Sequence, residues 1–241
     1  MPRVIIVQVI YNNKKWIRPV FESVFNQTFK DFKFVAVMAG NDDGSKELIA
    51  SEFPEVEIID PGFNIGFAKG HNLVFEQYKY AEFFQLVNPD LILEPNYIEQ
   101  MLKAFDDEKV GAATGKLYKI PNSKSQISNE LQKTNIIDTT GVVISKSARA
   151  RDRGQHEVDK GQYDKLVDVQ AVSGAGAMYR RTALESSKYP TFAEVSEGRQ
   201  VSSNKLEYFD EDFHSYWEDV DLSWRMANKG WKNVFVPAAV G

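Results

Sequence analysis

Apolar positions in this chain fall into short β-branched or aromatic runs, and between them lie longer stretches of amphipathic pattern. VIIVQVI at 4–10 is almost continuous Val and Ile between polar residues, which predicts a strand buried on both faces of a parallel sheet. A helix is predicted over 16–25 with Pro19 in its first turn, then a strand over 32–38. Asp43-Gly44-Ser45 opens a helix over 43–53, and 56–59 reads as a third strand. A Gly-containing loop passes into a helix over 64–80, followed by a strand at 83–87, a helix at 95–105 with Pro95 near its start, and a strand at 110–118. This alternation predicts an α/β fold: a mostly parallel sheet with helices on both faces, binding its ligand at the carboxyl ends of the strands.

Beyond residue 118 the pattern changes. Residues 119–165 are rich in Ser, Lys, Gln and Asp and poor in apolar runs, which predicts an irregular flap carrying short strands, with disorder over 122–132. VDVQAVSGAGAMY at 167–179 is strand-like but interrupted by small residues. Its SGAGA has neither the dinucleotide fingerprint nor the P-loop Lys-Ser/Thr, so it marks close backbone approach to a ligand or a neighbouring strand. Residues 188–205 read as a polar loop. From Glu218 the spacing turns helical, with Val220, Trp224 and Ala227 as an apolar stripe and Asp221 and Arg225 as an i,i+4 ion pair.

Composition narrows the function. At 241 residues the chain is long enough for one substantial core, and a net charge of −5 argues against a nucleic-acid partner. Cysteine is absent, which excludes disulfides and thiolate chemistry and fits a reducing, cytoplasmic setting. The apolar N-terminal run is too short to span a membrane and lacks a signal-cleavage pattern.

Candidate chemistry lies where the strands end. Residues 11–13, 39–45, 61–66 and 88–90 are mostly Asn, Asp and Gly; turn preference explains any one of these loops, whereas four on one sheet edge form a site. A second signal is YFDEDFHSYWEDVDLSWR at 208–225, six acidic residues interleaved with aromatics. Phe209, Phe213, Tyr216 and Trp217 need burial or a ligand to stack on. Glu218 and Asp219 fall at a helix N-terminus, so capping and catalysis both account for them. His71 is expected at the surface or in a loop, and His214 is expected to hydrogen-bond within the acidic segment. Arg149, Arg151 and Arg153 default to a solvated flap, with a diphosphate or anionic acceptor as the alternative.

Taken in order, VIYNN at 9–13, Gln27-Thr28, Asp43-Gly44-Ser45, NIGFAKGHN at 64–72, LVNPD at 86–90, SGAGAMYRR at 173–181 and FDEDFHSYWEDVDLSWR at 209–225 resemble family 2 glycosyltransferases, and most closely their bacterial rhamnosyltransferase-like branch. The resemblance implies a single GT-A domain, with residues 1–118 as the nucleotide-sugar half and 119–241 as the acceptor-side half. It implies a dTDP-, UDP- or GDP-linked sugar donor, a glycan or lipid-linked acceptor, Mg²⁺ or Mn²⁺, and inversion at the anomeric carbon. Peripheral association with the inner face of the membrane and a homodimer are further expectations. Carried over by position, Tyr11, Asn12, Asn41 and Asp43 would hold the base and ribose, and Asn64, Gly66, Phe67, Asn72 and Asn88 would line the donor site. Asp90 of Asn-Pro-Asp would bind the metal, as one carboxylate suffices when phosphates and waters complete the shell. Gly174, Ala175, Trp217 and Asp212 would meet sugar or acceptor, and Asp219, paired with Glu218, would be the general base; Asp212 and Asp210 also suit capping of the next turn.

Two departures qualify the transfer. Family members carry Asp-Asn after the second strand where this chain has Met38 and Ala39, so nucleotide recognition is expected to be altered, moved to Asn41, Asp42 or Asp43, or lost. The chain ends at VPAAVG where many relatives continue to a His that helps hold metal or diphosphate, as a C-terminal truncation would explain. A silent sugar-binding or scaffold module is therefore the rival reading. A nucleotidyltransferase is a third, though the basic N-terminal phosphate loop it would need is not present.

Overall fold

Alternate residues of β1 (Val4–Ile10) supply two cores, one on each side of the sheet. Val4, Ile6 and Ile10 pack with Phe21 and Phe34 on one face, while Ile5, Val7 and Val9 pack with Phe75, Phe84 and Leu222 on the other. A strand buried on both sides is apolar at nearly every position, which is why the run reads as Val and Ile; its one polar residue, buried Gln8, donates from Nε2 to Asn88 O at 3.1 Å. The computed structural model describes residues 1–40, 43–120, 134–147, 149–196 and 199–241. The 122–132 stretch, expected to be disordered, lies outside the described residues.

After β1 come α1 (Lys14–Phe25), β2 (Phe32–Met38), α2 (Ser45–Glu52), β3 (Glu57–Ile59), α3 (Gly66–Gln77), β4 (Phe83–Leu86), α4 (Tyr97–Ala104) and β5 (Val110–Tyr118). The flap follows with β6 (Ile137–Thr139), β7 (Val142–Ile144) and β8 (Ala150–Asp152). Then come β9 (Val167–Asp168), β10 (Met178–Arg180), α5 (Arg181–Ser186), β11 (Tyr189–Ser196), β12 (Arg199–Glu207), a 3₁₀ turn (Glu211–Phe213), α6 (Glu218–Asn228) and β13 (Lys232–Val240). The main sheet runs β3-β2-β1-β4-β10-β5-β13-β9. β1 is parallel to β2 and β4, β2 to β3, and β13 to β5; β10 alone separates the two parallel sets, antiparallel to both β4 and β5.

Several expectations need correction. α1 begins two residues before the predicted start, so Pro19 lies in its second turn. The proline leaves the Lys15 carbonyl without its helical donor, which exposed Lys15 can offset with water. Stretch 188–205 is not a loop: β11 and β12 pair antiparallel from Tyr189 opposite Glu207 to Ser196 opposite Arg199. A two-stranded ribbon satisfies its backbone by pairing and needs no continuous apolar run, so hydrophobic pattern misses it. On α6, Leu222 and Met226 enter the core while Trp224 is 54% exposed, Ala227 is exposed and Val220 is half-buried, so the predicted Val220–Trp224–Ala227 stripe is not the face that packs on the core. His71 is also misplaced by sequence: it is buried on α3, donating from Nδ1 to Phe67 O at 2.8 Å, and burial lowers its pKa to about 4.

Candidate active site

A cavity of about 780 Å³ opens where β1, β2 and β4 end, and its remaining walls come from the N-terminus of α6 and from the flap. Tyr11, Asn64, Gly66, Phe67, Asn88, Gly174, Ala175, Trp217, Glu218 and Asp219, all expected at the site, line it together. Residues 173–177 lead into β10, which lies between β4 and β5, so Gly174 and Ala175 come beside the exit of β4. Asn88 N donates to Ala175 O at 2.8 Å and fixes that neighbourhood.

Asp219 is the most constrained carboxylate in the cavity. Its Oδ2 accepts from Gly174 N at 2.7 Å and its Oδ1 from Val220 N at 2.8 Å. A Cβ at position 174 would come within 3.1 Å of Oδ2, so glycine there allows this approach. Burial raises the Asp219 pKa above the ordinary carboxylate value, the two backbone hydrogen bonds lower it in part, and the charge of Asp152 raises it further. Glu218, 4% exposed, has its pKa lifted to about 7 by burial and next by the charge of Asp219, and its Oε2 has no hydrogen-bond partner. The pair therefore consists of a carboxylate held by two donors and a neighbour pushed toward its neutral form. That arrangement suits proton abstraction by the first.

One rim of the cavity is a strained aromatic segment. His214, Tyr216 and Trp217 have φ of 56°, 73° and 77°, a left-handed region that costs non-glycine residues free energy. His214 O accepts from Phe67 N at 2.9 Å and Ala68 N at 3.3 Å, which satisfies free N–H groups at the start of α3. Gly66, at φ 74°, admits the His214 ring: a Cβ there would lie 2.6 Å from Nδ1. The space beside the Gly66 backbone is thus filled by the protein itself. Tyr216 is 81% exposed and Trp217 50%, so these two aromatics stand open at the cavity rather than in the core. Tyr208 and Phe209 are the ones buried.

Other expected site residues lie elsewhere. Asn72 is buried and its amide is committed: Nδ2 donates to Phe209 O at 2.8 Å and Glu211 Oε1 at 3.2 Å, and Oδ1 accepts from Phe209 N at 2.9 Å. It joins α3 to the acidic segment and is outside the cavity lining. Asp43 accepts from Lys14 N at 2.9 Å and from Ser45 N at 3.0 Å and Ser45 Oγ, bridging the starts of α1 and α2; burial raises its pKa, but these hydrogen bonds lower it on balance. Asp212 N donates to Asp210 Oδ1 at 3.0 Å, so Asp210 caps the 3₁₀ turn and Asp212 stays exposed outside the lining. Asn12 and Asp90 are likewise exposed and outside it; the wall after β4 is Asn88 and Pro89. Asn41 lies outside the described residues. No group of three or more His, Asp or Glu that could hold a metal occurs among the described residues.

The cavity also contains residues that sequence reasoning missed or left in solvent. Asp152 and Gln155 of the flap line it, as does Arg151. The signal available was Asp152 between two arginines in Arg151-Asp152-Arg153, an acid inside an otherwise basic stretch. Nothing in local pattern says that the flap folds back over the strand ends.

Comparison with known proteins agrees with this architecture. The family model described as glycosyl transferase family 2 matches residues 5–187. An N-acetylglucosaminyl-diphospho-decaprenol L-rhamnosyltransferase of Mycobacterium tuberculosis is 23% identical over 247 aligned positions, covering 97% of this chain and 73% of that protein. Matches to two further bacterial relatives cover only 31% and 18% of their lengths. Among solved structures, S. aureus TarS superposes with a TM-score of 0.62 at 15% identity, over 100% of this chain and 36% of TarS. The mannosyltransferase PcManGT of Pyrobaculum calidifontis, in complex with GDP-Man and Mn²⁺, gives 0.60 at 15% identity, over 99% of this chain and 56% of that one. The fold is thus the GT-A fold of these enzymes.

Proposed function

Since the chain belongs to glycosyl transferase family 2, we propose that it transfers a hexose, or a deoxyhexose such as rhamnose, from a nucleotide-diphospho-sugar to a hydroxyl of a bacterial surface glycan or its lipid-linked precursor. The observation that carries this reading is Asp219, fixed by Gly174 N–H and Val220 N–H in the wall of a cavity at the strand ends. The acceptor oxygen attacks the anomeric carbon as the bond to the diphosphate breaks. The leaving diphosphate takes the bonding electrons, and Asp219 takes the hydroxyl proton. Attack on the face opposite the leaving group inverts the centre. Tyr11, Asn64 and Asn88 form the donor side of the cavity, and Trp217 offers an exposed ring on which a sugar can stack.

A divalent cation fits the donor set in one respect. Asp90 is exposed and follows the cavity-lining Asn88 and Pro89 in the chain; it would supply one hard oxygen, and Mg²⁺ or Mn²⁺ bound through one carboxylate, phosphates and waters would neutralise charge on the departing diphosphate. The name of the mycobacterial relative supports rhamnose and a lipid-linked acceptor at 23% identity. A cytoplasmic site of action, with peripheral membrane attachment or a homodimer, belongs to the same proposal. No helix of the described residues is long and apolar enough to cross a membrane.

The rival reading, a module that binds sugar without turnover, has one specific observation in its favour. Met38 and Ala39 are buried and apolar at the end of β2, and Ala39 lines the cavity where a polar nucleotide contact is expected. Calorimetric titration with UDP, dTDP and GDP, each with and without Mn²⁺, tests the donor site, and binding of one nucleotide is expected. Turnover of the matching nucleotide sugar should fall about 10²- to 10⁴-fold in Asp219→Asn with nucleotide affinity retained. Full activity in that variant would remove Asp219 as the base, and failure to bind any of the three nucleotides would favour the silent module.

A further inference from the structure

The flap adds a third carboxylate to the cavity. Asp152 is the last residue of β8 and lines the same space as Asp219 and Glu218. It is partly buried, with Gln155 Nε2 at 3.4 Å from Oδ2. Around it stand Asp138 and Lys119, themselves 3.8 Å apart, and Arg151 on the same strand. Around Asp219 stand Glu218, the buried Tyr179 and, across the cavity, Asp152. Asp152 and Asp219 therefore repel, and both are partly desolvated. Glu218 is 4% exposed, lines the cavity and keeps an oxygen with no hydrogen-bond partner. Three carboxyl groups around one cavity, one of them buried with unused acceptor capacity, call for a ligand rich in hydroxyl donors. A pyranose ring is such a ligand, since each hydroxyl can make a charge-assisted hydrogen bond to a carboxylate.

We propose that Asp152 is an acceptor-binding residue: the acceptor sugar enters between the flap and α6, with its attacking hydroxyl on Asp219 and a second hydroxyl of the same ring on Asp152. This rests on the reading of Asp219 as base and deepens it by naming the acceptor class. The acceptor is a ring that presents two hydroxyls to the cavity, so a simple alcohol would be a poor substitute.

The first experiment needs no substrate. Asp152→Asn keeps the shape of the side chain, and ¹³C-carboxyl NMR reads the titration of Asp219 directly. Its midpoint should fall when the facing charge is removed; an unmoved midpoint would overturn the pairing. The second uses methyl α- and β-pyranosides of glucose, galactose and rhamnose as probes, followed by saturation-transfer NMR. At least one should bind the unaltered chain and lose about tenfold in affinity in Asp152→Asn, with affinity for UDP, dTDP and GDP unchanged. Equal pyranoside affinity in both proteins, no pyranoside binding to the unaltered chain, or a parallel loss of nucleotide affinity would each overturn the assignment. Asp152→Ser, checked by circular dichroism, serves if the Asn variant does not fold. Turnover surviving in Asp219→Asn would instead sink the base itself, leaving the pyranoside result to stand or fall separately.

Discussion

Glu218 and Asp219 are adjacent in sequence and differ in what the backbone gives them. Asp219 receives two N–H donors, whereas Glu218 is buried with an unpartnered oxygen. A Glu whose pKa rises from 4.5 to about 7 on folding binds more protons in the folded than in the unfolded state between those values. Stability from this group is therefore present below about pH 4.5 and is lost as pH rises through about 7. Glu218→Gln is expected to raise the melting temperature at pH 8 and to flatten the decline between those pH values. The gain is bounded at about 3 kcal/mol, since one pKa unit corresponds to about 1.4 kcal/mol. A denaturant series at pH 5 and pH 8 measures it, and an equal effect at both would show that Glu218 is not held in its acid form. Asp219 must be ionised to take a proton, so the rate should rise with pH through its elevated pKa. Gly174→Ala forces a Cβ to within 3.1 Å of Asp219 Oδ2, so it should lower kcat more than it raises the donor KM.

At the scale of elements, the site depends on the joint between α3 and the acidic segment. Asn72 makes three hydrogen bonds across it, and the His214 carbonyl covers the free N–H groups of α3. Asn72→Ala leaves Phe209 N and O without these partners and should cost about 1–3 kcal/mol, while nucleotide affinity stays within about twofold. A selective loss of nucleotide affinity without loss of stability would restore Asn72 to the donor site. Gly66→Ala meets both an unfavourable φ and the His214 ring, so it should displace the 214–217 segment. Acrylamide quenching in a chain that keeps Trp217 and has Trp16, Trp224 and Trp231 replaced by Phe would report that movement.

Across the whole molecule, a buried lysine ties the flap to the sheet. Lys116 on β5 donates to Asp159 Oδ2 at 2.9 Å and Asp164 Oδ1 at 2.6 Å, and Tyr118 OH also donates to Asp159. Lys116→Met leaves Asp159 without its cation and should cost about 3 kcal/mol, the low end for a broken buried pair because Asp164 is 63% exposed. Faster proteolysis of the flap with unchanged nucleotide affinity is the expected readout. The strands of the first half were legible in sequence because a two-sided core demands continuous Val, Ile and Phe, as in 4–10 and 32–38. The helical reading from Glu218 was legible too, but not the side it buries, since Leu222 and Met226 rather than Trp224 face the core. The alternation of strands and helices, the loops that carry Tyr11, Asn64 and Asn88, and the Glu218-Asp219 pair could all be read along the chain, because each is a local pattern of residue type. That Asn72 and Asp43 are tied into packing, that Gly66 makes room for His214, and that Asp152 joins the cavity emerged from the folded arrangement. Those outcomes depend on which distant backbone and side-chain atoms arrive beside each residue, and no local spacing encodes that.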